Sequence, residues 1–84
     1  MKVRDLLGAW AWADCGDTKI CVGTSGNPYG EDLKWVGGFR DVEDSGYAGA
    51  VVIGFADDCV DGVHRIGITV DAHSVPVRVL RGWN

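Results

Sequence analysis

The pair Asp61-Gly62, set between Val60 and Val63, constrains this chain more than any other local feature. A two-residue reversal between strands needs positive φ at its central positions, and Asp-Gly supplies it at little steric cost. Beyond the pair, His64, Ile66, Ile68 and Val70 alternate with Val63, Arg65, Gly67 and Thr69, which is the period of a strand. Before it, residues 50–55 form a continuous apolar run with a β-branched centre, expected to be a strand buried on both faces. Residues 56–60 lead from that run into the turn.

The rest of the chain is arranged around this hairpin. Val3, Leu6, Leu7, Trp10 and Ala11 share one face of a helix predicted over 3–13, and Gly16 lies where such a helix stops. Trp12 falls off that stripe. A short strand is expected over 18–23, a turn-rich loop over 24–30, and a further strand over 34–41 with a bulge or bend at Gly37-Gly38. Residues 43–46 read as a polar turn. Val75, Val77 and Val79 alternate with Pro76, Arg78 and Leu80, as an edge strand would. The expected fold is α+β, one N-terminal helix packed on an antiparallel sheet of about five strands, forming a single domain over residues 1–84.

A chain of 84 residues has one core to build and few side chains to spare for an enclosed site. Its 46% hydrophobic and 24% charged content is that of a globular domain rather than a disordered one. No apolar run approaches the roughly 20 residues of a membrane span, and the opening residues lack the pattern of an export signal. Cys15, Cys21 and Cys59 are an odd set without framework spacing, so reduced thiols in a cytoplasm are expected.

Charge is uneven. The net charge is −4, yet residues 31–61 carry −6 and residues 62–84 carry +2. An acidic middle repels phosphates, so direct nucleic-acid binding is not expected, and a basic protein surface suits it better.

Chemistry is thinly represented. Cys59, His64 and His73, with Cys15 or Cys21, lack the paired spacings of a zinc site. Asp57 through Asp61-Gly62 resembles a calcium loop, but Cys59 and Ile68 occupy ligand positions. The predicted hairpin also sets Cys59 and His64 on either side of a turn, and a Cys59–His64–aspartate nucleophile is disfavoured by the acidic neighbours Asp57, Asp58 and Asp61, which oppose formation of a thiolate. Gly23-Thr24-Ser25-Gly26 lacks the lysine of a phosphate loop. No enzyme activity, metal or cofactor is expected.

What remains is surface. Trp10, Trp12, Trp35 and Trp83 are many for so small a core, and aromatic anchors beside charges are typical interface chemistry. Trp83 either caps the sheet or meets a partner. The candidate partner-binding set is Glu31, Asp32, Trp35, Asp41, Glu43, Asp44, Asp57, Asp58 and Asp61. Asp57, Asp58 and Asp61 are expected to share one loop, and Glu43 and Asp44 another turn. A self-associating module, monomer or weak homodimer, pairing through a strand edge or a Trp patch, is the alternative.

The opening Met1-Lys2-Val3-Arg4-Asp5-Leu6-Leu7, the aspartate-rich break and Lys19-Ile20-Cys21-Val22 resemble small bacteriophage proteins that begin with a helix and then a strand. In size, acidity and simplicity the whole chain is similar to the anti-CRISPR proteins. That resemblance implies a cytoplasmic, non-enzymatic inhibitor that binds tightly to CRISPR–Cas machinery. It also implies a Cas surveillance complex of type I as a partner, since some acidic members occupy its positively charged nucleic-acid sites. Anti-CRISPR proteins share no common motif, so no residue roles are carried over.

Overall fold

A computed structural model describes all residues except Ala11, Trp12, Cys15, Pro28, Glu31 and those numbered 82–84. The first helix, α1, spans Val3–Ala9. It begins where Lys2 is extended and its N–H donates to the Asp5 carboxylate at 3.1 Å. That acidic group also suits the positive end of the helix. The amide N–H groups of Val3 and Arg4, which have no intrahelical partners, donate to the carbonyls of Ala50 and Ala48 at 3.0 and 2.9 Å. Val3, Leu6 and Leu7 are buried, as their spacing predicts. The helix is shorter than expected. Trp10 is already extended, with its N–H turned back to the Leu7 carbonyl.

Strand β1 (Lys19–Gly23) and strand β2 (Leu33–Gly37) pair antiparallel, with Val22 opposite Trp35. A 3-10 turn (Phe39–Asp41) and the short helix α2 (Val42–Ser45) follow. The strand predicted through Asp41 therefore stops at the Gly37-Gly38 pair, and the predicted polar turn at 43–46 is largely helical, with Val42 in the core. Strands β3 (Val52–Val60) and β4 (Val63–Val70) form the hairpin. Asp61 and Gly62 both have positive φ, 52° and 81°, as the sequence requires.

The sheet order is β2-β1-β4-β3, and β1 runs parallel to β4 with Ile20 opposite Ile66 and Val22 opposite Ile68. The sheet is thus mixed and four-stranded, not antiparallel with about five strands. The chain between β1 and β4 is long enough for the crossover that parallel neighbours need. The fifth strand does not form. Asp71 accepts from the His73 N–H and starts a 3-10 turn (Ala72–Ser74), and Pro76, at φ −55°, leads into helix α3 (Val77–Leu80). Val75 is buried, Val79 and Leu80 pack against the core, and Val77 is exposed, which is helical spacing rather than alternation.

The core lies between one sheet face and α1, α2 and the segment around Tyr47–Ala50. Ile20, Val22, Ile66, Ile68, Val70 and Val3 are fully buried within it. The opposite sheet face is covered by the loop after β1. Thr69 Oγ1 donates to the Ser25 carbonyl at 2.6 Å, and Tyr29 lies across Gly67. A Cβ at Gly67 would stand 2.5 Å from the Tyr29 ring, so this close approach needs a glycine. Among the described residues, no helix is long and apolar enough to cross a bilayer.

Candidate functional site

The hairpin register distributes the acidic residues over two faces and a tip. Because Asp57 and Asp58 are consecutive in β3, their side chains point to opposite sides of the sheet. They belong to the strand, not to one loop with Asp61 as the sequence suggested. Only Asp61 sits in the turn.

On the Tyr29 face, Asp58 stands opposite Arg65 and the two side chains form a bidentate pair at 2.8 and 2.5 Å. The hydrogen bonds from Arg65, helped by its charge, hold the Asp58 carboxyl below the usual carboxylate range. The same hydrogen bonds raise Arg65 in turn. The guanidinium also lies 4.2 Å from the centre of the Tyr29 ring, a cation–π contact. The Tyr29 hydroxyl donates to the Ala56 carbonyl at 3.2 Å, which ties the covering loop to β3. Partial burial, with the Asp58 charge nearby, raises the Tyr29 phenol. Burial likewise pushes the neighbouring Cys21 thiol up.

On the core face, Cys59 and His64 are cross-strand partners, and His64 Nε2 lies 2.9 Å from Asp57 Oδ2. The turn does not keep the thiol and imidazole apart, as expected from sequence. It sets them directly opposite. Even so, the second imidazole nitrogen, Nδ1, lies 3.3 Å from Thr18 Oγ1, so both ring nitrogens are engaged and neither is left for the Cys59 thiol. Among the described residues, no three His, Cys, Asp or Glu side chains are grouped to hold a metal. Cys15 lies outside the described residues.

The remaining predicted site residues scatter. Asp32, just before β2, accepts from the Ser25 hydroxyl. Trp35 is half-buried in β2 and packs on the core. These two stand at the opposite sheet edge from Asp57 and Asp58, roughly 14 Å away at ordinary strand spacing. Asp41 closes the 3-10 turn, while Glu43 and Asp44 ride on α2, where Glu43 pairs with Arg4 at 3.4 Å. Glu31 lies outside the described residues. Four of the acids are thus matched by a donor or cation, and Asp41, Asp44 and Asp61 have no ion-pair partner among the described residues.

The sequence reading missed the apolar part of the surface. The run at 50–55 was expected to be buried on both faces, but β3 is an edge strand, and Val51, Ile53, Phe55 and Val60 are exposed, Ile53 by 65%. Phe55 meets Trp10 edge-to-face at a centroid distance of 5.6 Å. Gly54, which carries no side chain, and the two aspartates that follow are the only sequence signals of such exposure. Between β3 and the loop at Ser25–Tyr29 lies an open groove of about 550 Å³. Gly54, Ala56, Gly67, Tyr29 and Ile53 line it, with Ser25, Asn27 and Thr69 supplying polar groups.

Met1 and Lys2 pair with the start of β3 at Val51 and Val52, and no described segment pairs beyond. A tight turn closes on a hydrogen-bonded Val60–Val63 pair, and antiparallel ladders alternate bonded with non-bonded pairs. Phe55, Asp57 and Cys59 therefore direct their N–H and C=O groups away from β4, toward the open edge. Compared with protein-family models, with curated proteins and with solved structures, the chain gives no match.

Proposed function

We propose that this protein is a non-enzymatic, phage-encoded inhibitor of the anti-CRISPR kind. In this reading it binds a basic, nucleic-acid-handling protein, a type I surveillance complex, and blocks binding of target DNA. The observation that carries the binding reading is the composition of the β3 edge. Exposed Ile53, Phe55 and Val60 stand beside exposed Asp57 and Asp61. Apolar anchors rimmed by one sign of charge are what a specific protein contact uses, since burial gives affinity and charge selects the partner. The net charge of −4 favours a cationic partner, and a surface that receives DNA is cationic. The type I target and the phage origin rest on the resemblance in size, acidity and opening residues.

The test uses a purified, guide-loaded type I surveillance complex and a labelled target duplex. Near-stoichiometric protein is expected to abolish duplex binding. The Asp57→Lys/Asp61→Lys variant is expected to lose about tenfold or more in potency, and added salt to weaken the wild type. Undiminished duplex binding at excess protein would sink the proposal. Potency indifferent to both charge reversal and salt would sink its electrostatic part.

A further inference from the structure

Among the described residues, the Cys59–His64–Asp57 cluster, the hollow near Asp14, Arg40 and Asp41, and the β3 edge with its groove each bring polar groups together. In the first, both imidazole nitrogens are already engaged. The second offers opposed charges with nothing to indicate a ligand. The third combines independent features that point to one kind of occupant.

We infer that the open edge of β3, from Phe55 to Cys59, receives an extended segment of the partner protein as an added strand. In that segment a basic residue faces Asp57, and its sequence neighbour is an apolar residue that enters the groove beside Ala56. This rests on the reading of the chain as a binder of a basic protein, and it names the part of the partner that is held.

The backbone favours such a strand. Outward N–H and C=O groups at Phe55, Asp57 and Cys59 are spaced as a strand's own ladder requires, and an added strand satisfies them as it does in other edge-pairing complexes. The side chains then set the register. Asp57 is on the core face of the sheet, while Ala56 is on the Tyr29 face, next to the groove. An added strand presents alternate residues to those two sides. The residue opposite Asp57 meets a carboxylate that contacts His64 through Oδ2 yet has a side chain 52% exposed, with the Asp61 turn beyond it. A lysine or arginine there gains from direct cross-strand pairing, and an acidic residue is repelled. The neighbouring residue meets Ile53, Tyr29 and the small residues Gly54 and Ala56, which leave room for an aliphatic side chain.

A second copy of this chain fits the edge poorly. Antiparallel self-pairing through these outward groups sets Asp57 against Ile53, Phe55, Cys59 or its own counterpart, and none supplies a cation. Natural edge strands carry charged side chains, core-facing ones included, that prevent self-pairing, and Asp57 meets that description.

The probe is a capped eight-residue peptide alternating Lys with Val, compared with its Glu–Val counterpart by titration against the isotope-labelled full chain. The Lys peptide is expected to shift the amide signals of Phe55, Asp57 and Cys59 and slow their hydrogen exchange, with the Glu peptide at least about tenfold weaker. Asp57→Lys is expected to reverse that preference. N-methylation of alternate peptide amides, which keeps every charge and leaves the protein untouched, is expected to remove binding. Equal binding of the methylated peptide, or no change along β3, would overturn strand addition. Protection of the same amides without peptide, rising with protein concentration, would overturn it in favour of a second copy. If the peptide fails while the surveillance complex is still inhibited, the edge inference falls and the proposed function stands. Peptide binding without any effect on that complex supports the edge and removes the named target.

Discussion

β3 and β4 are neighbours joined by the same turn, and both are rich in apolar and β-branched residues. Yet Ile66 through Val70 of β4 are all buried, whereas most of β3 is exposed. The difference is not one of hydrophobicity. β4 lies between β1 and β3, beneath α1 on one face and beneath Tyr29 on the other, while β3 beyond its first residue has, among the described residues, a strand neighbour on one side only. A strand's burial is a property of its place in the sheet, and apolar side chains left on an edge become contact surface.

The largest test of this contrast is a pair of isoleucine truncations. Ile68→Ala, at a fully buried site, is expected to lose about 2–5 kcal/mol in chemical denaturation, from lost burial and an unfilled cavity. Ile53→Ala, 65% exposed, should stay within about 1 kcal/mol of wild type. Equal losses would mean that the β3 edge is covered after all.

A pair of glycine substitutions sharpens the contrast at smaller scale. Gly67→Ala drives a methyl into the Tyr29 ring and is expected to cost about 1–3 kcal/mol. Gly54→Ala, with nothing within 4 Å of the added Cβ, is expected to be neutral or slightly stabilising in the same thermal unfolding series. A double variant with Tyr29→Ala should recover part of the Gly67→Ala loss, because the colliding ring is gone.

The smallest effect concerns the bridge that joins the two strands. The Asp58 carboxyl is held low in the folded state by Arg65, so its contribution is fully present above the ordinary aspartate range, about pH 4. It is lost as pH falls from there through the depressed folded value. Stability of Asp58→Asn and wild type, followed from pH 7 to pH 2, should therefore differ slightly at neutral pH and converge at the acid end. The difference is small because the pair is partly open to solvent. A gap that persists unchanged to pH 2 would show that the contact does not depend on ionised Asp58.

Much of the local structure is legible in the sequence. The buried stripe of α1, the strand at β1 and the Asp61-Gly62 reversal follow from spacing and from backbone sterics, which act within a few residues. The segment at 75–80 was not legible as a helix. Val75, Val77 and Val79 satisfy a two-residue period, and Val75, Val79 and Leu80 satisfy a helical one, so the pattern alone does not choose. The candidate site was legible in part. Asp57, Asp58 and Asp61 do fall on one hairpin, and Arg65 stands opposite Asp58 once the two-residue turn fixes the register, but the sequence did not speak of Tyr29 stacking on Arg65, because that contact joins residues far apart in the chain.

Sequence by itself determined that the chain mixes a short helix with strands, where the hairpin turns, and that its middle is acidic, since propensity, turn chemistry and charge are carried by the residues themselves. Tertiary structure alone decided that β1 pairs parallel with β4, that β3 takes the edge, and which of the described carboxylates stay without an ion-pair partner. Those outcomes depend on which distant segments share a ladder or a face, and hydrogen bonding and packing settle that only once the chain has closed on itself.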